Sequence, residues 1–127
     1  MIHLDTNYLI RGARTGSPEN IALGRWIHSG EPLATSALAW MEFTTGPLDA
    51  EAEAHARILL ENRIVPFGAN EAELAARLFN AAGRRRGLRY DCMIAAVAIA
   101  TRAGLATTNT GDFQLFIPHG LKLAVQD

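Results

Sequence analysis

Apolar positions along the chain fall into short runs separated by stretches of helical period. Ile2-His3-Leu4 reads as a short buried strand that stops at Asp5. Residues 7–13 follow as a first helix, closed in the region from Gly12 to Pro18. Residues 20–28, with Ile21, Leu23, Trp26 and Ile27, form a second helix that stops at Gly30. Leu33-Ala34 is a second short strand. Ser36 is placed to cap a helix over residues 37–45, because its hydroxyl can accept from the first free amides, and Gly46-Pro47 ends it. Asp49 caps a further helix running to about Asn62, before a third strand at Ile64-Val65. The Asn70 to Glu73 spacing resembles a capping box and opens a helix to about Ala82. After an arginine-rich loop at residues 83–87, the Ala-rich segment 90–103 is strongly helical and is closed by Gly104. Residues 105–107 and 121–125 supply a fourth and a fifth strand.

Short apolar strands alternating with helices predict an α/β fold. The expected architecture is three layers, α/β/α, around a short and mostly parallel sheet of about five strands. The 127 residues suit one domain over 1–127 and leave no room for a second core. A hydrophobic fraction of 49% against 20% charged residues is that of a folded, soluble chain. No basic n-region precedes an apolar start, and the longest apolar stretch, residues 93–100, is far short of the ~20 residues of a spanning helix. The single cysteine, Cys92, rules out an internal disulfide and sits among small apolar residues. A buried thiol in a reducing, cytoplasmic compartment is the expectation.

Net charge is −1, so the whole molecule is no general attractant for polyanions. The distribution of charge changes that picture. Eleven of the twelve basic residues are arginine, and Arg84, Arg85, Arg86 and Arg89 lie close together. Arginine suits bidentate phosphate contacts, although such a cluster also serves as an ordinary solvated loop.

Four acidic residues stand in unusual surroundings. Asp5 ends an apolar strand, Glu42 lies in the apolar helix Leu38-Ala39-Trp40-Met41-Glu42-Phe43, Asp91 opens the apolar segment from Cys92, and Asp112 sits in a turn after the fourth strand. Each has a simpler reading: a cap for Asp5, a solvent-facing position for Glu42, a helix-dipole partner for Asp91, a turn residue for Asp112. Together, several carboxylates at the carboxyl ends of parallel strands call for a shared cation. An all-oxygen set suits Mg²⁺, with Mn²⁺ possible, and no His-x-x-x-His or Cys-x-x-Cys spacing supports zinc. None of the four histidines joins the set.

The motifs that hold these acids resemble those of PIN domains, in order and across essentially the whole chain. Ile2-His3-Leu4-Asp5-Thr6-Asn7 looks like the family's opening strand and Asp-Thr-Asn. Residues 36–42 resemble its next acidic helix, and Asp91-Cys92-Met93-Ile94-Ala95-Ala96 its Asp-x-x-Ile-Ala-Ala helix. Thr107-Thr108-Asn109-Thr110-Gly111-Asp112-Phe113 is similar to its closing Thr-x-Asn-x-x-Asp-Phe turn. Order, spacing and length resemble VapC-type toxins of toxin–antitoxin pairs. The resemblance implies metal-dependent hydrolysis of RNA, with Asp5, Glu42, Asp91 and Asp112 as catalytic metal ligands and Thr6, Asn7 and Asn109 in support. It also implies a homodimer and a protein antitoxin. Arg84, Arg85, Arg86 and Arg89 would track the RNA backbone, and Trp26, Trp40, Met41 and Phe43 serve either the core or partner contacts. Some PIN nucleases carry an acid where this chain has Asn109, which leaves Asn109 or Asp112 open as the residue that reaches the metal. Two alternatives stand beside this reading. A haloacid-dehalogenase-like phosphatase needs a second Asp at position 7, where this chain has Asn7. A catalytically silent PIN module would only bind RNA or a protein partner.

Overall fold

Strand and helix alternate as the hydrophobic pattern predicts, in a computed structural model that describes residues 1–125. β1 (Ile2–Leu4) is buried on both faces, and α1 (Thr6–Arg11) begins directly after it, with Asp5 as N-cap. α2 (Pro18–His28) starts at Ser17, whose side chain accepts from the Asn20 amide, with proline at the first helical position, where its missing N–H costs nothing. β2 (Leu33–Ser36) passes without a loop into α3 (Ala37–Thr45). Ser36 ends the strand and caps the helix, accepting from the Ala39 amide at 3.1 Å. α4 (Ala50–Leu60) is capped by Asp49 at 2.7 Å and stops where Glu61 and Asn62 take left-handed backbone. Then come β3 (Ile64–Val65), α5 (Ala69–Ala81), a 3₁₀ turn (Arg86–Leu88), α6 (Arg89–Ala100) and β4 (Gly104–Ala106). A one-turn α7 (Thr110–Phe113), a 3₁₀ segment (Gln114–His119) and β5 (Lys122–Leu123) complete the order.

Helix boundaries shift by a few residues from the sequence reading, and two of the shifts have a specific cause. α5 starts at Ala69, and the residue that reaches back is Glu71, accepting from the Gly68 amide at 3.0 Å, rather than Glu73 from Asn70. Glycine offers no side chain to return the bond, so the box is one-sided. α6 ends at Ala100 rather than Ala103. The left-handed backbone of Arg102 lets the Ala103 amide close on the Ala98 carbonyl at 3.0 Å, and Gly104 is thereby free to open β4.

The sheet runs β3-β2-β1-β4-β5 and every pairing is parallel, in keeping with the mostly parallel sheet of about five strands expected from the sequence. Helical crossovers cover both faces, which is why the strands are apolar throughout. On one face Ile2, Leu4, Leu33 and Ala106 pack with Tyr8, Leu9, Leu23 and Leu60 from α1, α2 and α4. On the other, Leu105 packs with Leu78 of α5, Cys92, Ala95 and Ala98 of α6, and Phe113, Phe116 and Leu121. No helix of the described residues is long and apolar enough to cross a membrane.

The strand order fixes where chemistry can happen. From β1 the chain moves one way through β2 and β3, then returns to lay β4 and β5 on the other side. A crevice opens at such a switch point, outside the carboxyl ends of β1 and β4. The register pairs Leu4 with Ala106, and the Asp5 amide donates to the Ala106 carbonyl at 2.9 Å. Asp5 and Thr107 therefore emerge side by side at the crevice.

Candidate active site

Asp5 is 6% exposed and its carboxylate is held from three directions. Oδ1 accepts from the Thr6 amide at 2.9 Å, and Oδ2 accepts from the Thr107 hydroxyl at 2.7 Å and from Asn7 Nδ2 at 3.5 Å. Burial raises the Asp5 pKa, while Thr107, Thr6 and Asn7 oppose the rise by bonding the charged form. The capping role and the site role coexist, because one oxygen serves the helix and the other faces Thr107.

The remaining acids arrive from three separate elements. Glu42 projects from α3 and accepts from the Thr6 hydroxyl at 3.2 Å on Oε2. Asp91 lies in the first turn of α6, and Asp112 in α7. The Asp91 carboxyl is pushed up to about 6, first by burial and then by the negative charges of Asp5, Asp112 and Glu42. The α6 dipole favours the charged form of Asp91, and burial and the neighbouring carboxylates oppose it. The same field shows that all four acids share one neighbourhood. Among the described residues no ion pair reaches any of them.

Burial separates the four acids. Of the four, Asp5 alone is buried; Asp91 is half-buried, and Glu42 and Asp112 are exposed. The apolar neighbours of Glu42 do not enclose it, because Ala39 and Phe43 turn to the core while Glu42 faces outward from the same helix. The crevice is open on that side. Among the described residues no three acidic, histidine or cysteine side chains close into a ready-made metal cage.

The turn after β4 is tied to Asp5 by a chain of hydrogen bonds. Thr107, 7% exposed, donates to Asp5 and accepts from the Asn109 amide at 3.0 Å. Asn7 Oδ1 accepts from the Thr108 amide at 3.2 Å, and Asn109 Nδ2 donates to Asp112 Oδ2 at 3.0 Å. Asn109 thus holds Asp112 in place. Thr107 is the participant that sequence reading left without a role. Its signal is the register that sets it beside Asp5, which requires knowing that β1 pairs with β4.

The PIN domain profile matches residues 2–115, from β1 into the segment after α7, and so spans all four acids. This chain belongs to the PIN domain family. Among solved structures it is similar to a toxin–antitoxin complex from Klebsiella pneumoniae, at 27% identity and TM-score 0.75, covering 100% of this chain and 98% of that one. It is also similar to FitAcB from Neisseria gonorrhoeae, at 26% identity and TM-score 0.74, covering 99% and 98%. VapBC2 from Rickettsia felis, bound to a promoter DNA fragment, shares the fold at 24% identity and TM-score 0.71, covering 98% of each chain. No curated protein is a significant match.

In this PIN domain the arginine loop leads straight into the helix that carries Asp91. Arg84, Arg85, Arg86 and Arg89 are all exposed; Arg84 has left-handed backbone, and the Arg89 guanidinium lies 5.3 Å from the centre of the Phe79 ring. Cys92 is buried and its pKa is raised, by burial and then by Asp91, which keeps it a thiol. His3 is a core residue: Nε2 lies 3.1 Å from the Thr101 hydroxyl, and burial lowers its pKa to about 4. Of the positions considered for partner contacts, Phe43 is buried and Trp26 and Trp40 pack against the same core, whereas Met41 is 45% exposed.

Proposed function

We propose that this PIN domain is a Mg²⁺-dependent endoribonuclease, with Mn²⁺ an effective substitute, and the toxin component of a toxin–antitoxin pair. The observation that carries the reading is the convergence of four acids, from the end of β1 and from α3, α6 and α7, at the sheet's switch point, with no ion pair to any of them among the described residues. Burial raises Asp91 to about 6 together with the negative charges of Asp5, Asp112 and Glu42, and a bound divalent ion relieves the repulsive part. The donor set is entirely oxygen, the preference of a hard cation. Asp5, Glu42, Asp91 and Asp112 would hold it. When bound, such an ion polarises the scissile phosphodiester and neutralises charge that develops on it.

The chain's own residues do the rest. Thr107, Thr6 and Asn7 fix the Asp5 carboxylate, Thr6 also holds Glu42, and Asn109 holds Asp112. Of the two candidates at the turn, this hydrogen bond favours Asp112 as the ligand, with Asn109 orienting it. Arg84, Arg85, Arg86 and Arg89 contact the RNA backbone and offset its repulsion from the acids. No side chain is needed as a covalent nucleophile.

The toxin assignment is supported by the likeness to a Klebsiella pneumoniae toxin–antitoxin complex over the full chain. It implies a cytoplasmic homodimer, one domain per chain, silenced by a protein antitoxin. Incubation of the purified protein with RNA tests the activity. Cleavage with Mg²⁺ or Mn²⁺ that stops with EDTA is expected, together with loss of cleavage in Asp5→Asn and Asp91→Asn variants that keep a native circular dichroism spectrum. RNA binding without metal-dependent cleavage would instead make the chain a silent PIN module.

A further inference from the structure

Resting on the nuclease reading, we infer that Thr35 is a positioning residue for the reaction: from β2 its hydroxyl holds the peptide that precedes Asp5, and so aims the carboxylate that Thr107 holds from β4. Thr35 is fully buried, at 0% exposure, and donates to the Leu4 carbonyl at 2.7 Å. The nitrogen of that same peptide, the Asp5 amide, donates to the Ala106 carbonyl at 2.9 Å. On the far side of the residue, the Asp5 carbonyl accepts from the Tyr8 and Leu9 amides at 2.9 and 3.1 Å. Both peptides that flank the Asp5 Cα are therefore clamped. The Leu4–Asp5 peptide is gripped from the two strands on either side of β1.

Packing alone does not ask for a hydroxyl at this position. Strand alternation sets Thr35 on the same face of β2 as Leu33, which packs with Leu4 in one apolar core. Valine has the same shape, favours strands and buries no polar atom. The register already aligns Ile2 with Leu33 and His3 with Ala34 before Thr35 is reached. What the hydroxyl adds lies at the strand end, on the peptide that leads into Asp5. Rotation of that peptide carries the Asp5 Cβ with it, and a misplacement of about 1 Å at a reacting centre can cost about a hundredfold in rate. Thr35 and Thr107 thus bracket β1 from its two neighbours. One bonds the backbone behind Asp5 and the other the carboxylate itself, each at 2.7 Å.

The test compares wild type, Thr35→Val, Thr35→Ser and a core control on the same strand, Leu33→Val, each with its thermal stability measured. Valine keeps the shape and loses the hydroxyl; serine keeps the hydroxyl and loses a methyl group. For Thr35→Val, kcat on RNA at saturating Mn²⁺ falls roughly tenfold and KM stays at the wild-type value. Mn²⁺ binding without RNA, read by calorimetry, weakens by a similar factor. In the metal-free protein the Asp5 amide loses protection from hydrogen exchange beyond any loss shared by the other β1 amides. Thr35→Ser and Leu33→Val keep kcat, Mn²⁺ affinity and Asp5 protection even where their stability falls. Wild-type kcat and Mn²⁺ affinity in Thr35→Val would overturn the inference, as would a rise in KM alone. Losses in Thr35→Ser or Leu33→Val as large as in Thr35→Val would do the same and leave Thr35 a core residue only. If Thr35→Val does not fold, Thr35→Ala set against Thr35→Ser decides by the same readouts. If wild type cleaves no RNA, the nuclease reading fails, and exchange at the Asp5 amide then decides Thr35: a selective loss of protection in Thr35→Val supports its grip on that peptide, and unchanged protection overturns it.

Discussion

At the scale of single residues, Asp91 is where function and stability oppose each other. Its folded pKa of about 6 lies above the ordinary value of 3.8. The folded chain therefore holds a proton more tightly than the unfolded one between those values. The ionised group costs stability above pH 6, and the cost vanishes as pH falls through 6 toward 4. Asp91→Asn should accordingly stabilise the metal-free protein at pH 7 by about 1 kcal/mol, discounted for its partial exposure. The gain should fade by pH 4, as read from urea midpoints across pH. The same substitution should abolish cleavage. A stabilised, inactive variant would separate the two roles, whereas a destabilised one would show that Asp91 is repelled less than its surroundings indicate. Asn109 makes a second case. Its amide is bonded to Asp112, so Asn109→Ala and Asp112→Asn should be strongly non-additive in kcat. Additive losses would mean that Asn109 acts elsewhere.

At the scale of elements, the acids are aimed by the way strands hand over to helices. Ser36 belongs to β2 and caps α3, and that cap sets the phase at which Glu42 faces Thr6. Ser36→Ala should cost about 1 kcal/mol and lower kcat, because the helix loses its fixed start. A loss of stability with full kcat would show that Thr6 alone aims Glu42. The α1–α2 junction is equally constrained. A Cβ at Gly12 would sit 2.3 Å from Leu23 Cδ1 and 2.5 Å from the Tyr8 carbonyl. Gly12→Ala should therefore destabilise by about 2 kcal/mol, measured by thermal unfolding, through overpacking beneath the helix that Asp5 begins. Most of these handovers are legible in the chain itself, since Ser36, Asp49 and the β1-to-Asp5 transition carry local signals. The Asn70–Glu73 reading misplaces the α5 start because Gly68 carries no capping side chain to mark it, and only the chain path selects Glu71. The α6 end misleads for a related reason. Gly104 looks like a terminator, yet Arg102 takes the left-handed turn because β4 needs the glycine's place.

At the scale of the whole molecule, a net charge of −1 hides a separation between four acids at the crevice and arginines on the loop leading into α6. Saturating Mn²⁺ should raise the melting temperature by several degrees in wild type, reversibly with EDTA, and not in Asp5→Asn. Equal shifts in both proteins would place the ion elsewhere. Replacing Arg84, Arg85 and Arg86 with alanine should reduce the salt dependence of RNA binding by about 2 in the log–log slope. An unchanged slope would remove those arginines from the backbone contact. The sequence by itself determined the alternation of strand and helix and the mostly parallel sheet, and it singled out the four acids as candidates. Each of these is written in local spacing: apolar runs, caps, and carboxylates set against apolar residues. Only the tertiary structure decided which acids are buried, that Thr107 stands against Asp5, and that Asn109 bonds Asp112. The burial of Asp5 and the Thr107–Asp5 bond depend on β1 and β4 becoming neighbours across a separation of about a hundred residues, whereas the Asn109–Asp112 bond closes within one turn. A chain whose strands are short and alike carries no local mark of which one will lie beside the first.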